Sequence, residues 1–364
     1  MTETYLPNKL PHREEQAKQI GGYLSEALRG ATPPHMLLEG PAGSGKTAVI
    51  KWLLENFKRM ADPTRVVVAY AVVSRHSYRN LASLASSVGC RVPRRGMDFG
   101  DAWDWFSSHV GARILIAVLD EVDKSLALEP ESELLYYLTS RENTCVILIS
   151  NKGGLLEMIR DLRIRSRLSA PRFIHFPPYT APELADILAD RAKKALAPNA
   201  ISGEELNLCA AIAVQEAKGD ARYAIQLLAT AAELAGSKGK SRIDREDIVE
   251  ANNRVKVNRV VAPIMELEPP YQVMLYTIAK NEGRTEGEIF AEVSKNMKQV
   301  GMAYSLRHMR RMFYELEERG LIKTDVRGRG RGKGVAWLVT LSPELPSEIV
   351  AKRLGGMLGL EREA

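Results

Sequence analysis

Short apolar runs alternate with longer mixed stretches between about residue 36 and residue 176. The runs cover residues 36–38, 66–68, 114–119 and 146–149. Such short runs suit strands that are buried on both faces, and the stretches between them are helical in pattern. Strands that alternate with helices predict a parallel sheet with helices on both faces, which is an α/β fold.

The pattern changes after Pro177-Pro178, where helices replace the alternation. They are predicted over residues 181–196, 204–217, 221–235 and 245–254. Ser202, with Glu205 three residues later, forms a capping box at the start of the second of these helices. This part of the chain is therefore predicted to be a separate helical domain.

The segment 266–270 (ELEPP) marks a further boundary, and the unit after it has helices first and a strand hairpin last. The predicted organisation is an α/β domain over residues 1–178 and a helical domain over 179–262. A third domain is predicted over 263–345, with a C-terminal tail over 346–364.

Composition narrows the class of protein only a little. The chain is 45% hydrophobic and 26% charged, which is ordinary for a globular protein. Its net charge of +6 is compatible with a polyanionic partner but does not require one. The longest apolar run, 114–119, is far shorter than the ~20 residues of a membrane helix, and no signal-peptide pattern precedes it. Three widely spaced cysteines suggest neither a zinc site nor a disulfide framework, so we expect a cytoplasmic protein with no membrane partner.

One segment fits the phosphate-binding pattern GxxxxGK[ST], between a predicted strand and a predicted helix over residues 46–60. It consists of Gly40, Pro41, Ala42, Gly43, Ser44, Gly45, Lys46 and Thr47. The glycines allow backbone N–H groups to face phosphates, and the helix N-terminus adds partial positive charge. We expect Lys46 to reach the β- and γ-phosphates of ATP and Thr47 to hold Mg²⁺.

The apolar run 114–119 ends in Asp120 and Glu121. A buried strand of an open α/β sheet delivers such carboxylates to the edge where ligands bind. Asp120 is expected to hold Mg²⁺ through water, and Glu121 to orient and deprotonate the attacking water. The alternative is a helix N-terminus that merely favours acidic residues.

Three further features suggest contacts to the phosphates. Asn151 follows the next predicted strand, although the glycine-rich segment after it also suits a simple turn. Arg222 lies in the first turn of a helix capped by Asp220, where the helix dipole disfavours a cation. This position indicates either that Arg222 binds an external anion or that it is a solvated surface residue. The segment 159–168 contains four arginines, one of which is a candidate arginine finger or part of an exposed basic turn.

The last domain has the pattern of a winged helix. An apolar stripe at helical spacing is expected to face the core: Met302, Leu306, Met309, Phe313 and Leu316. Arg307, Arg310 and Arg311 lie on the other side, which suits either a DNA major groove or solvent. Between the two predicted hairpin strands lies an Arg-Gly segment, 326–334, here called the wing. Its cations are Arg327, Arg329, Arg331 and Lys333, whose mutual repulsion DNA phosphates would relieve; the alternative is a soluble loop.

Taken together, these signatures resemble the archaeal origin-recognition initiators, which are related to the eukaryotic origin recognition complex and its helicase-loading partner. The resemblance covers about residues 8–341. The motifs that carry it are 12–16 (HREEQ), 40–47 (GPAGSGKT), 92–96 (VPRRG), 119–123 (LDEVD), 176–180 (FPPYT), 219–222 (GDAR) and the wing. It implies an AAA+ P-loop domain, a helical lid and a C-terminal winged helix that binds DNA.

The resemblance also implies roles for single residues. Asn151 matches the sensor-1 position, Arg222 matches sensor 2, and Tyr179 is placed among the nucleotide-binding residues. Arg163 matches the arginine finger, but Leu162 stands where the family usually has proline, which leaves Arg165 and Arg167 open as alternatives. The second strand departs as well, with Ala69-Tyr70-Ala71 where the family commonly has an Asn-Cys pair. The segment 74–100 matches an extra helical element that touches DNA in such initiators, with Arg94 and Arg95 as its cations.

The function that the resemblance implies is an ATP-dependent replication initiator. It would bind double-stranded origin DNA, hydrolyse ATP slowly to ADP, and use the nucleotide as a switch for assembly with other initiator subunits or for helicase recruitment. Two alternatives stay open. One is a clamp-loader-like or remodelling AAA+ ATPase, and the other is a DNA-binding regulator that holds nucleotide only structurally.

Overall fold

The computed structural model describes residues 10–360 except for 75, 94–96, 127–131, 329–334 and 344, and it describes only the backbone at 326–328 and 335–336. The chain divides into two compact units, Met1–Val249 and Glu250–Ala364. The division falls within one long helix, so each unit is described by itself.

A five-stranded parallel sheet forms the centre of the first unit. Its strands are β1 (Met36–Glu39), β2 (Val66–Val72), β3 (Ile114–Asp120), β4 (Thr144–Ser150) and β5 (Arg172–His175). Their order in the sheet is β2-β3-β4-β1-β5, with β2 and β5 at the edges. All four predicted strands are present, and the predicted α/β class is confirmed.

Helices cover both faces of this sheet. They are α1 (Glu14–Leu28), α2 (Lys46–Met60), α3 (Ser77–Ser86), α4 (Phe99–Val110), α5 (Val122–Leu126), α6 (Glu133–Ser140), α7 (Leu155–Met158) and α8 (Leu162–Arg167). Because side chains alternate along a strand, each central strand serves two cores. On β3, Ile116 and Val118 pack with α1 and α2, whereas Ala117 and Leu119 pack with α3, α4 and α6.

The helical domain begins after β5. Its helices are α9 (Ala181–Ala195), α10 (Gly203–Ala217), α11 (Ala221–Ser237) and α12 (Arg245–Met265), so the last one runs well past its predicted end at residue 254. The predicted capping box of Ser202 and Glu205 is present at the start of α10. Asp220 caps α11 by accepting the backbone N–H of Arg222 at 2.8 Å, as the sequence predicts.

The second unit has the winged-helix arrangement. Its elements are α13 (Pro269–Lys280), β6 (Arg284–Thr285), α14 (Glu286–Gln299), α15 (Leu306–Glu318), β7 (Ile322–Gly328), β8 (Val335–Leu341) and α16 (Ser347–Leu358). The three strands form an antiparallel sheet in the order β6-β8-β7. The predicted hairpin is therefore present, and it follows α15 directly.

Two expectations for this unit need correction. The predicted stripe is too long, because Met302 precedes α15 and Leu306 at its first position is 50% exposed; only the last three residues of the stripe are buried. The expected tail over 346–364 contains α16, whose Val350 and Leu354 are fully buried in the core of this unit. The apolar face of α16 was missed because it is short and follows a hairpin.

Among the described residues, no helix is both long enough and apolar enough to cross a membrane. Cys90, Cys145 and Cys209 are buried free thiols.

Candidate active site

The phosphate-binding segment connects β1 to α2, as the motif requires. Three of its glycines lie where a larger residue would not fit. A Cβ atom on Gly40 would lie 2.1 Å from the carbonyl oxygen of Phe176, and one on Gly45 would lie 2.6 Å from the hydroxyl of Tyr179. Gly43 adopts φ +72° and lies against Asp220 of the lid. The loop is therefore shaped by its contacts with the start of the lid as well as by its own sequence.

Lys46 lies inside this loop and is only 4% exposed. Its ammonium donates to the carbonyl oxygens of Gly40 at 2.7 Å and Pro41 at 2.8 Å. It also donates to the side-chain oxygen of Asn151 at 3.0 Å, so the structure brings Asn151 to the phosphate loop. Burial lowers the pKa of Lys46 to about 8, although the nearby Asp120 opposes that shift.

The Asp120 carboxylate accepts three hydrogen bonds within the site and is 3% exposed. Its Oδ2 accepts the hydroxyl of Thr47 at 2.8 Å and the hydroxyl of Tyr70 at 2.7 Å. Its Oδ1 accepts the backbone N–H of Glu121 at 2.9 Å. Burial and the bond to Asp120 raise the pKa of Tyr70, so this hydroxyl stays protonated as a donor. A hydroxyl and a carboxylate side by side are hard oxygen ligands of the kind that Mg²⁺ takes, and the predicted pair Thr47 and Asp120 fits it.

Glu121 follows directly and has a positive φ of 59°, which is rare for a residue other than glycine and is often found at functional sites. Its Oε2 forms an ion pair with the ammonium of Lys124 at 2.8 Å. Lys124 is 63% exposed at its side chain, so this pair contributes little stability and can open readily. The carboxylate is thus located next to Asp120 and is held by a weak partner.

The lid closes the other side of the cleft. A cavity of about 340 Å³ is lined by the P-loop residues Lys46 and Thr47, by Asn151, and by Tyr179, Arg191 and Arg222 of the lid. The backbone N–H of Ala221 also donates to the carbonyl oxygen of Gly43 at 3.3 Å. Arg222 therefore lies in the cleft, as its position in the sequence suggested. Arg191 was missed, because a single arginine on α9 has no motif to distinguish it.

Arg13 is a second residue that sequence reasoning did not single out, although it lies in the HREEQ motif. It is 2% exposed, and burial lowers its pKa. Its guanidinium donates to the carbonyl oxygens of Ser44 at 2.8 Å and Pro177 at 2.6 Å, and it lies 3.7 Å from the ring centre of Tyr179. Arg13 thus connects the phosphate loop to the entrance of the lid.

The arginine-rich turn lies elsewhere on the first unit. Arg163 is 68% exposed and is paired with Asp161 at 2.7 Å, while its guanidinium lies 4.6 Å from the ring centre of Tyr136. Arg160, Arg165 and Arg167 are also exposed. None of these four arginines lines the described cleft, so an arginine finger among them would act on a neighbouring subunit's nucleotide, and an exposed basic turn stays the alternative.

The candidate DNA-binding face lies on α15 of the second unit. Arg307, Arg310 and Arg311 are all exposed, as predicted. Arg310 lies 3.6 Å from Glu286, and Arg311 donates to Glu315 at 3.0 Å. Two aromatic side chains beside or near them are half exposed, namely Tyr314 on α15 and Trp337 on β8. Of the wing cations, the backbone of Arg327 continues β7, whereas Arg329, Arg331 and Lys333 lie outside the described residues, as do Arg94 and Arg95.

The phosphate loop, the acidic pair and the helical lid together define a P-loop ATPase of the AAA+ class. Comparison with protein families agrees, since residues 29–159 match the AAA domain and residues 185–253 match the Cdc6 AAA+ ATPase-type lid domain. An ORC1-type DNA replication protein of Methanothermobacter thermautotrophicus is 34% identical over 360 residues, which is 97% of this chain and 96% of that protein. One of Aeropyrum pernix is 34% identical over 346 residues, which is 90% of this chain and 87% of that protein.

Solved structures agree with these relatives. The Aeropyrum pernix ORC1 protein, solved in complex with DNA, is 32% identical with a TM-score of 0.78, and the match covers 97% of this chain and 94% of that one. Cdc6p of Pyrobaculum aerophilum shares the fold, with 22% identity, a TM-score of 0.59, and coverage of 100% of this chain and 98% of that one. This chain belongs to the family of ORC1-type DNA replication proteins. The resemblance inferred from the motifs is confirmed.

Proposed function

We propose that this protein is an ATP-dependent initiator that binds origin DNA and uses its nucleotide state as a switch for assembly with other initiator subunits and for helicase recruitment. The observation that carries the proposal is the cleft in which Lys46, Asn151 and Arg222 meet, because it joins a phosphate loop to a helical lid domain in one site. A γ-phosphate in that cleft would contact both domains, and ADP would contact fewer groups.

The roles of the residues follow from their positions. Lys46 and the P-loop amides hold the phosphates. Asn151, whose side-chain oxygen accepts a hydrogen bond from Lys46, orients the γ-phosphate and the attacking water. Thr47 and Asp120 would hold Mg²⁺, which neutralises phosphate charge when bound. Once its ion pair with Lys124 opens, the Glu121 carboxylate accepts a proton from the attacking water.

Slow hydrolysis is part of the proposal, because the residue expected to accelerate it lies away from the cleft. The candidate arginine finger, Arg163 or one of its neighbours Arg165 and Arg167, is outside the cleft of its own chain. A second initiator subunit would have to supply it, and such fingers contribute a factor of about 10³–10⁵ to rates in related enzymes.

Replacing Arg222 with alanine tests the switch. Hydrolysis should slow by about 10-fold or more, while ADP affinity should change by less than about 3-fold, because ADP lacks the γ-phosphate that Arg222 contacts. Steady-state phosphate release and ADP titration measure the two effects. Lys193→Ala, which removes an exposed cation from α9, is the matched control. Unchanged turnover in Arg222→Ala would leave Arg222 as a surface residue.

DNA binding is proposed to use two parts of the second unit. The exposed face of α15, with Arg307, Arg310 and Arg311, would lie in a major groove, and the wing cations would contact phosphates or an adjacent minor groove. The half-exposed rings of Tyr314 and Trp337 offer apolar contacts on the same domain. The relative from Aeropyrum pernix was solved in complex with DNA, which supports DNA binding by this chain.

The wing is tested by replacing Arg327, Arg329, Arg331 and Lys333 together with alanine. Removing one cation that binds a phosphate should lower the slope of log affinity against log salt by ~0.9, so the slope should flatten by up to about 3.6. Binding should weaken for all sequences, whereas changes in α15 should alter sequence preference. Fluorescence anisotropy at several salt concentrations measures both. A control with the same charge change replaces Lys18, Lys58, Arg59 and Lys193, all of which are exposed. If the wing variant matches wild type at two salt concentrations, the wing is a solvated loop.

The two alternatives make different predictions. A clamp-loader-like or remodelling ATPase would not need the Arg-Gly wing and would work only within a larger set of partner subunits. A regulator with structurally held nucleotide would neither release ADP nor turn ATP over at a measurable rate, so comparing ADP release with turnover separates it from the initiator. The three buried free cysteines support a cytoplasmic location.

A further inference from the structure

Tyr70 on β2 contacts the magnesium-binding end of the site without belonging to any of its motifs. Its hydroxyl donates to Oδ2 of Asp120 at 2.7 Å, the same oxygen that accepts the hydroxyl of Thr47. We propose that Tyr70 is a positioning residue that fixes the Asp120 carboxylate for Mg²⁺. This inference rests on the proposed function, since it assigns a role toward the metal that accompanies ATP.

The strand register explains how Tyr70 reaches this carboxylate. Tyr70 pairs with Val118 of β3, and Asp120 lies two residues further along the same strand. Side chains two residues apart point to the same face, so Tyr70 and Asp120 share the face of the sheet that packs against α2. The tyrosine side chain is long enough to cover the remaining distance along that face.

The backbone of Tyr70 is held firmly even though β2 is an edge strand. On its inner side, β2 pairs with β3 in a continuous register over seven residues, 66–72. The backbone N–H of Tyr70 donates to the hydroxyl of Ser87 at 3.0 Å, and that hydroxyl donates to the carbonyl oxygen of Leu84 at 2.6 Å. The hydroxyl of Tyr70 is thus presented from a rigid element, which a positioning role requires.

The hydrogen bonds leave Asp120 with one defined place for a metal-bound water. An ionised carboxylate offers about four acceptor positions. Oδ2 uses two of them for Thr47 and Tyr70, and Oδ1 uses one for the backbone N–H of Glu121. Without the tyrosine hydroxyl, this buried carboxylate would lose one of three donors and could rotate away from Thr47. Losing an outer-shell partner of this kind typically lowers metal affinity about 10- to 100-fold.

The ring of Tyr70 has a contact of its own that does not involve the hydroxyl. The ammonium of Lys51 on α2 lies 5.1 Å from the ring centre, within the range of a cation–π contact. A phenylalanine at this position would keep that contact and the packing of the ring. Tyr70→Phe therefore removes the hydrogen bond to Asp120 and little else.

The experiment measures ATP binding to the full chain as a function of Mg²⁺ concentration, using a fluorescent ATP analogue. For Tyr70→Phe, the Mg²⁺ concentration at half-maximal enhancement should rise at least about 10-fold. Affinity for the analogue in EDTA should stay within about 2-fold of wild type, because the P-loop amides and Lys46 hold the phosphates without the metal. Tyr78→Phe is the matched control, since it removes a hydroxyl that donates to the carbonyl oxygen of Pro93, away from the site.

A second measurement separates positioning from general stability. In an Asp120→Asn background, Tyr70→Phe should raise the Mg²⁺ concentration at half-maximal enhancement by less than about 2-fold. The charged acceptor is already gone there, and the effects of coupled residues are not additive. An equal shift in both backgrounds would overturn the positioning role, as would weaker binding in EDTA. If wild type responds to Mg²⁺ and Tyr70→Phe responds identically, this inference alone fails. If wild type shows no Mg²⁺ response at all, the proposed nucleotide function fails with it.

Discussion

Replacing Lys46 with alanine should lower the affinity for ATP at least about 100-fold, a loss of ~3 kcal/mol. Lys46 is buried in the phosphate loop, and in that position its charge would act through a low dielectric on the β- and γ-phosphates of bound ATP. Hydrogen bonds from a charged donor contribute about 1.5–3 kcal/mol each. The substitution also leaves the carbonyl oxygens of Gly40 and Pro41 without the donor they now share.

Titration calorimetry with ATP measures this loss. Lys58→Ala is the matched control, because it removes an exposed lysine from the last turn of the same helix, α2, and changes the net charge equally. It should bind ATP like wild type. A Lys46→Ala variant that binds ATP within about 3-fold of wild type would remove the phosphate-binding role assigned to Lys46 and with it the central claim about this cleft.

Replacing Glu121 with glutamine should reduce hydrolysis by about 10²–10⁴-fold and leave ATP affinity within about 2-fold of wild type. Glutamine has nearly the same shape but cannot take a proton from water. The main contacts that place this residue belong to its backbone, whose N–H donates to Asp120, so the local geometry should persist. Single-turnover phosphate release, with ATP binding measured in parallel, separates the two effects.

Lys124→Ala provides the sharpest comparison for this prediction. It breaks the ion pair with Glu121 but leaves the carboxylate in place, so turnover should equal or exceed that of wild type. Loss of turnover in both variants would point to the ion pair as the important feature. Equal turnover in Glu121→Gln and wild type would exclude Glu121 as the base.

Much of the fold follows from local patterns in the chain. The four predicted strands are all present, because fully buried parallel strands leave uninterrupted apolar runs. The caps at Ser202 and Asp220 are also local, since each side chain bonds to a backbone group two or three residues away. The predictions for α15 and the C-terminal tail were less accurate. An apolar residue such as Leu306 can lie on an exposed face, and spacing alone does not distinguish the two cases.

The phosphate loop, the acidic pair and the family could be predicted from the chain alone, because these signals lie in short segments whose spacing the chemistry dictates. The distant residues that support them became visible only in the folded molecule. Arg13 reaches Pro177 across 164 positions of the chain, and Tyr70 reaches Asp120 across 50. Such contacts depend on the order and register of the strands, and on the path of the chain where it enters the lid. A buried arginine or a strand tyrosine looks the same in sequence whether or not it holds the site together.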